Sequence, residues 1–203
     1  MPLSAARACA VAACVALLGA CAAGPGPRSA RSADDGHERF AEAFEHMQNE
    51  AWDDAHAALT ALAADGVDDA QLQLNLGIVY ARTQRLDEAL AALQSAKALA
   101  PQAAAVHNEL GIVLRQRGDF AGAATAYRAA IAADPAYANA HYNLGVLLDL
   151  YLRQHAQALT HYETYLSLAP GEDKTVQSWV KDLRRRAATG PTTASSDERV
   201  ERR

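Results

Sequence analysis

Between residues 36 and 172 the chain repeats its small and apolar positions at long range. Gly77, Gly111 and Gly145 stand 34 residues apart, each directly after a leucine (Leu76, Leu110, Leu144). Ala89 and Ala123 follow their glycines by 12 positions, and Ala158 follows Gly145 by 13. Four positions on come Leu93, Tyr127 and Tyr162. Pro101, Pro135 and Pro170 close the three units, 34 and 35 apart. A fixed period of this length is the mark of stacked, like units. Each position has a physical use. A small residue on a first helix lets a second helix cross it closely, and the alanine does the same from the other side. The proline lacks a backbone N–H and clashes with the preceding turn, so it ends the second helix. The pattern predicts helix–turn–helix units.

The same register extends toward the N-terminus with changes. Ala43 takes the glycine position, and Ala55, Leu59 and Leu62 take those of the second helix. Trp52 stands at the turn position that Leu86 and Phe120 hold later, and Val67 replaces the closing proline. This predicts a first, atypical unit, as terminal repeats often are. The extra residue between Leu148 and Ala158 predicts a distorted turn in the last unit. After Pro170 the period stops. Val176, Val180 and Leu183 then fall on one helical stripe with Trp179 beside them, predicting an amphipathic helix over 173–187 that caps the array. Arg184, Arg185 and Arg186 suit the C-terminal end of its dipole. Residues 188–203 are polar and expected to be disordered.

The glycine, alanine and proline positions, recurring together, resemble the tetratricopeptide repeat over roughly residues 36–172. The fold this implies is an all-α solenoid of about four units, 36–69, 70–103, 104–137 and 138–172. In that family, first helices line a concave face that holds partners. Carried over by position, the contacts would be Gln71, Leu74, Asn75, Ile78 and Arg82 in the second unit. The third unit would supply Asn108, Glu109, Ile112, Arg115 and Gln116, and the fourth Asn139, Tyr142, Asn143, Val146 and Asp149. Asn75 and Asn143 share one position, where an amide can hold an extended peptide backbone as donor and acceptor. They could equally cap local backbone. Leu74 and Ile78 occupy places where chaperone-binding relatives carry the Lys and Asn of a carboxylate clamp, so that clamp is absent.

The first twenty residues differ in kind. Arg7 precedes the apolar run Ala8–Leu18, too short to span a bilayer as a helix and typical of a secretory signal. The segment closes on Leu18-Gly19-Ala20-Cys21, which resembles the lipobox of bacterial lipoproteins. That resemblance implies a signal peptide over 1–20, lipidation at Cys21 and, with Ala22 following, sorting to the outer membrane. Several acyl chains would anchor the chain firmly. An ordinary cleaved signal would leave a soluble periplasmic protein instead. Residues 21–36, rich in Gly, Pro, Ser and Ala, read as a flexible tether.

Composition narrows the chemistry. Half the residues are hydrophobic, much of that alanine, and only 6% are aromatic, which suits closely packed small helices. The formal charge is −5, with no basic stripe across the body, so nucleic acid is not expected. All three cysteines, Cys9, Cys14 and Cys21, precede the repeats, so neither a disulfide framework nor a cysteine metal site belongs to the body. The seven histidines form no HExxH pair. His107 and His141 sit one repeat apart where such repeats place a large packing residue. Asp53-Asp54 and Asp68-Asp69 fall at helix starts or turns, where acids cap. No serine of the repeat body lies in a GxSxG context, and Gly24-Pro25-Gly26 lacks a phosphate-loop setting.

No cofactor and no enzyme activity are expected. The expected function is a non-enzymatic scaffold that assembles or localises a protein complex of the cell envelope. Lipobox plus helical repeats resembles pilus-assembly lipoproteins and NlpI-type adaptors of cell-wall enzymes. An accessory subunit of an energy-coupled outer-membrane transport system is a second class, and an enzyme with an unrecognised site a third.

Overall fold

The computed structural model describes residues 30–169 and 171–189. All regular structure among them is helical. The segments expected to be a signal peptide and a lipobox, and residues 190–203 of the expected disordered tail, lie outside the described residues.

The helices run α1 (Ala30–Gln48), α2 (Trp52–Ala64), α3 (Ala70–Arg82), α4 (Leu86–Leu99), α5 (Ala104–Gln116), α6 (Phe120–Ala133), α7 (Ala138–Val146), α8 (His155–Leu168) and α9 (Lys174–Thr189). They pack as pairs α1/α2, α3/α4, α5/α6 and α7/α8, each pair resting on the next, with α9 on α8. The α1 helix begins at Ala30, so residues 30–36, expected as the end of a tether, are helical backbone. Pro25 and Pro27 lie upstream of that start, no proline follows within the helix, and the single Gly36 is carried in its interior.

Inside each pair the glycine position meets the large residue of the second helix. A Cβ built on Gly77 would lie 2.5 Å from Leu93 Cγ, and one on Gly145 would lie 2.7 Å from Tyr162 Cδ1. On Gly111 it would enter the ring of Tyr127. Leu93, Tyr127 and Tyr162 are almost wholly buried. In the first unit Ala43 and Leu59, both fully buried, take these two places. Ala55, Ala89, Ala123 and Ala158 are all fully buried, as close helix crossing requires.

The turn inside each unit ends its first helix in the left-handed region, at Glu50 (φ 56°), Gln84 (φ 63°), Gly118 (φ 82°) and Arg153 (φ 55°). In three units the next N–H reaches back five residues: Ala51 to His46 O, Arg85 to Tyr80 O and Asp119 to Leu114 O. This is the bond that satisfies orphan carbonyls at a helix C-terminus. The fourth unit has one residue more, and its bond spans six, Gln154 N to Leu148 O at 2.7 Å. The surplus is taken up by a π-helical turn at Leu147–Tyr151. Widening one turn absorbs one inserted residue. It leaves Leu147 and Leu148 buried and pushes Leu150 and Tyr151 out, 66% and 44% exposed. Tyr151 lies against Phe120 of the preceding turn, centroids 4.7 Å apart.

Between units, His107 and His141 each bond a proline carbonyl six residues back. His107 Nε2 lies 2.8 Å from Pro101 O, and His141 Nε2 lies 3.2 Å from Pro135 O. The packing residue expected at these positions is thus a cap on the turn that joins two units. Asp69 caps α3 through Leu72 N, 2.7 Å. Asp119 caps α6 through Gly122 N, 2.8 Å. Asp173 accepts from Thr175 N and Val176 N at the start of α9. On α9, Val176, Val180 and Leu183 are buried against the last unit.

Candidate functional site

The helices α3, α5 and α7 are neighbours across successive units and line one face. The residues carried over to that face divide into a floor and an accessible layer. Leu74, Asn75, Ile78, Asn108, Glu109 and Val146 are buried. Arg82 and Gln116 are exposed, and Gln71, Ile112, Arg115, Asn139, Tyr142, Asn143 and Asp149 are partly exposed.

The floor is polar and joined across repeats. Asn143 Nδ2 donates to Asn108 Oδ1 at 2.9 Å, and Asn108 Nδ2 donates to Glu109 Oε1 at 3.1 Å. Gln71 Nε2 reaches Asn75 Oδ1 at 3.4 Å, a weak contact. The sequence left open a local backbone cap for Asn75 and Asn143, but the side-chain bonds seen go to other side chains. Burial raises the pKa of Glu109 above its ordinary 4.5, against the opposing charge of Arg82 and the Asn108 bond. Among the described residues no cationic nitrogen lies within ion-pairing distance of Glu109.

The rim is basic on this side. Arg82 lies over the Trp52 ring, 5.9 Å from its centroid, bringing a guanidinium from one unit onto the turn of the unit before. Arg115 stands by the buried Tyr127 hydroxyl. Burial raises that tyrosine's pKa, and the arginine's charge only partly offsets it.

Two carried-over residues are engaged elsewhere. The π turn directs Asp149 to His155, Oδ1 to Nδ1 at 2.9 Å. His155 holds the turn position that Trp52, Leu86 and Phe120 hold in the other units. Tyr142 stacks on Trp179 of α9, centroids 6.3 Å apart and planes 25° apart. The α9 helix therefore closes this face at its C-terminal end.

Other clusters carry less. His141 and His161 bring their Nδ1 atoms to 3.1 Å. Burial lowers the pKa of His161, with His141 and Arg128 adding to it. Among the described residues no group of three or more metal-ligating side chains comes together. No described helix is long and apolar enough to cross a membrane.

Comparison with known proteins follows the geometry. A tetratricopeptide repeat model matches residues 40–104, and a TPR repeat model matches residues 112–149. No curated protein matches. Among solved structures, that of MamA is similar at TM-score 0.59 and 24% identity, covering 72% of this chain and 88% of that one. YrrB, described as a TPR protein with an unusual peptide-binding site, is similar at TM-score 0.58 and 21% identity, over 74% of this chain and 76% of that one. The first TPR of Spaghetti (RPAP3), solved bound to HSP90 peptide SRMEEVD, is similar at TM-score 0.54 and 19% identity, over 60% of this chain and 94% of that one. The chain carries tetratricopeptide repeats, and its fold is a tetratricopeptide-repeat α-solenoid.

Proposed function

We propose that this chain is a protein-binding scaffold, held at the periplasmic face of a bacterial outer membrane by a lipid on Cys21, and that it assembles or localises a multiprotein complex of the envelope. The observation that carries the binding role is the α3/α5/α7 face, where the partly exposed amides of Gln71, Asn139 and Asn143 lie over a buried polar floor of Asn75 and Asn108, with Arg82 and Arg115 at the edge. Primary amides can pair with both the N–H and the C=O of an extended segment, so they recognise backbone without demanding a sequence. Arg82, Arg115 and Gln116 add donors for acidic or amide side chains of the partner. Peptide binding described for YrrB and for the first TPR of Spaghetti accords with this use of the fold. The anchor rests on the Leu18-Gly19-Ala20-Cys21 sequence.

The binding role is tested by cross-linking and pull-down with the repeat chain as bait. Asn75→Ala/Asn143→Ala should lose the captured partner while keeping its helix content. Unchanged capture overturns the assignment of this face. For the anchor, labelled palmitate fed to cells should be incorporated into the parent chain and not into Cys21→Ser, and a parent chain that takes up no label refutes it.

A further inference from the structure

The fourth unit holds a histidine that the cap on its leading turn does not need. His107 and His141 occupy the same repeat position, and each bonds the proline carbonyl six residues back. His161 stands one place before Tyr162 on α8, and the matching residue, one place before Tyr127 on α6, is Ala126. His107 therefore caps its turn without a second imidazole. His161 is an addition of the fourth unit.

The two rings of this unit meet end to end. Nδ1 of His141 lies 3.1 Å from Nδ1 of His161. The ring centroids are 5.3 Å apart, close to that gap plus one atom-to-centre distance at each end. Each Nδ1 therefore points at the other, not at a common third point. His141 donates its Nε2–H to the Pro135 carbonyl, which leaves a lone pair on its Nδ1. That backbone bond is the support usual behind a metal-ligating imidazole. Burial first, then His141 and Arg128, holds the pKa of the half-buried His161 below its ordinary 6.5, so its ring is neutral at pH 7. Its Nδ1 proton can pass to Nε2 through solvent, turning Nδ1 into a ligand with no net proton loss. Among the described residues no third metal-ligating side chain joins the pair. A divalent ion would lack the further ligands it prefers, and Arg128 would repel its double charge.

We propose that His141 and His161 form a two-coordinate site for Cu+, the ion taking the place of the proton between their Nδ1 atoms. A closed-shell ion of single charge accepts two nitrogens in line, which is how these rings already point. With metal–imidazole bonds of about 2 Å the nitrogens stand about 4 Å apart, so the pair opens by about 1 Å. The half-buried His161 is the ring that yields, since His141 is buried and tied to Pro135. The ion then joins α7 to α8 by two coordinate bonds in place of one hydrogen bond.

The test is competition of the full-length chain against the Cu+ chelator bicinchoninate, with ascorbate under nitrogen. The parent for this test carries Cys9→Ser, Cys14→Ser and Cys21→Ser, so that no thiol holds the ion. It should keep one Cu+ per chain. His141→Gln and His161→Gln, melting like the parent, should bind about tenfold more weakly or worse. His155→Gln, which alters a histidine outside the pair, should match the parent. X-ray absorption on the copper-loaded parent should show two nitrogen neighbours in line, a readout that needs no variant to fold. Zn2+ should bind all four chains alike. Equal Cu+ affinity in the parent and the pair variants, a third or fourth neighbour at the copper, or Zn2+ affinity that falls together with Cu+ affinity would each overturn the proposal.

Discussion

Asn143 Nδ2 donates a 2.9 Å hydrogen bond to Asn108 Oδ1, 35 residues back and in the preceding repeat. Asn108 is 1% exposed, so solvent cannot replace that donor. Asn143→Ala should therefore destabilise the chain by about 1–3 kcal/mol, the range for a buried polar group left unpaired. The double variant Asn108→Ala/Asn143→Ala should cost less than the sum of the two single changes. A urea-unfolding cycle reads the coupling, expected at about 1 kcal/mol; additive effects would show that the bond contributes nothing.

The glycine contact predicts an intolerance of small increments. Gly111→Ala places a methyl inside the Tyr127 ring, and overpacking of this kind costs about 1–3 kcal/mol. In a Tyr127→Ala background the same change should be neutral or stabilising, because the obstacle is gone and alanine has the better helix propensity. Thermal melts of the four chains decide it. An equal penalty in both backgrounds would place the strain elsewhere.

The π turn predicts that one residue can be removed without harm. Deleting Leu150, which is 66% exposed, restores the 34-residue spacing of the earlier units. The shortened turn should close with the five-residue bond seen at Arg85 and Asp119. Melting temperature should stay within a few degrees of the parent's, consistent with a change below about 1 kcal/mol. Deleting Gln116 from the third unit, which has no surplus residue, should unfold that unit, and circular dichroism would separate the two outcomes.

The histidine pair predicts acid sensitivity. His141 Nε2 faces the Pro135 carbonyl, so that nitrogen carries the proton and its Nδ1 accepts from His161 Nδ1–H. Burial holds the His161 pKa below 6.5. The unfolded chain therefore takes up a proton at higher pH than the folded chain does. The stability from this site is present above pH 6.5 and is lost as pH falls through the folded value. His161→Gln keeps a donor and removes the titration, so its unfolding free energy should vary less with pH on the acid side. An unchanged slope would assign the sensitivity to other groups.

The repeat could be read from the chain because its three constraints are steric and local. A glycine, an alanine and a proline each exclude larger or differently shaped residues at a fixed offset. The division of the candidate α3/α5/α7 face into covered and accessible residues was not legible in the same way. Whether Asn108 or Asn143 is covered depends on side chains one repeat away, and position alone does not report that. The roles of His107 and His141 were equally hidden, since the acceptor is a backbone carbonyl with no signature of its own. The extra residue near Leu148 was visible as an irregularity. Its resolution into a π turn needed the backbone, as did the diversion of Asp149 to His155.

The interlocking of Gly77 with Leu93, Gly111 with Tyr127 and Gly145 with Tyr162 has a mechanical consequence. Each helix pair is a stiff link, and successive links meet at short turns such as 100–103 and 134–137, where a histidine adds its bond to those of the turn backbone. Compliance should therefore reside in those joints. Spin labels placed on both helices of one link should keep a narrow distance distribution, while labels on two successive links should show a broader one that widens further in His107→Ala and His141→Ala. A chain jointed in this way would adjust its curvature at the turns, and an unchanged distance distribution in both histidine variants would place its stiffness in the packing between links instead.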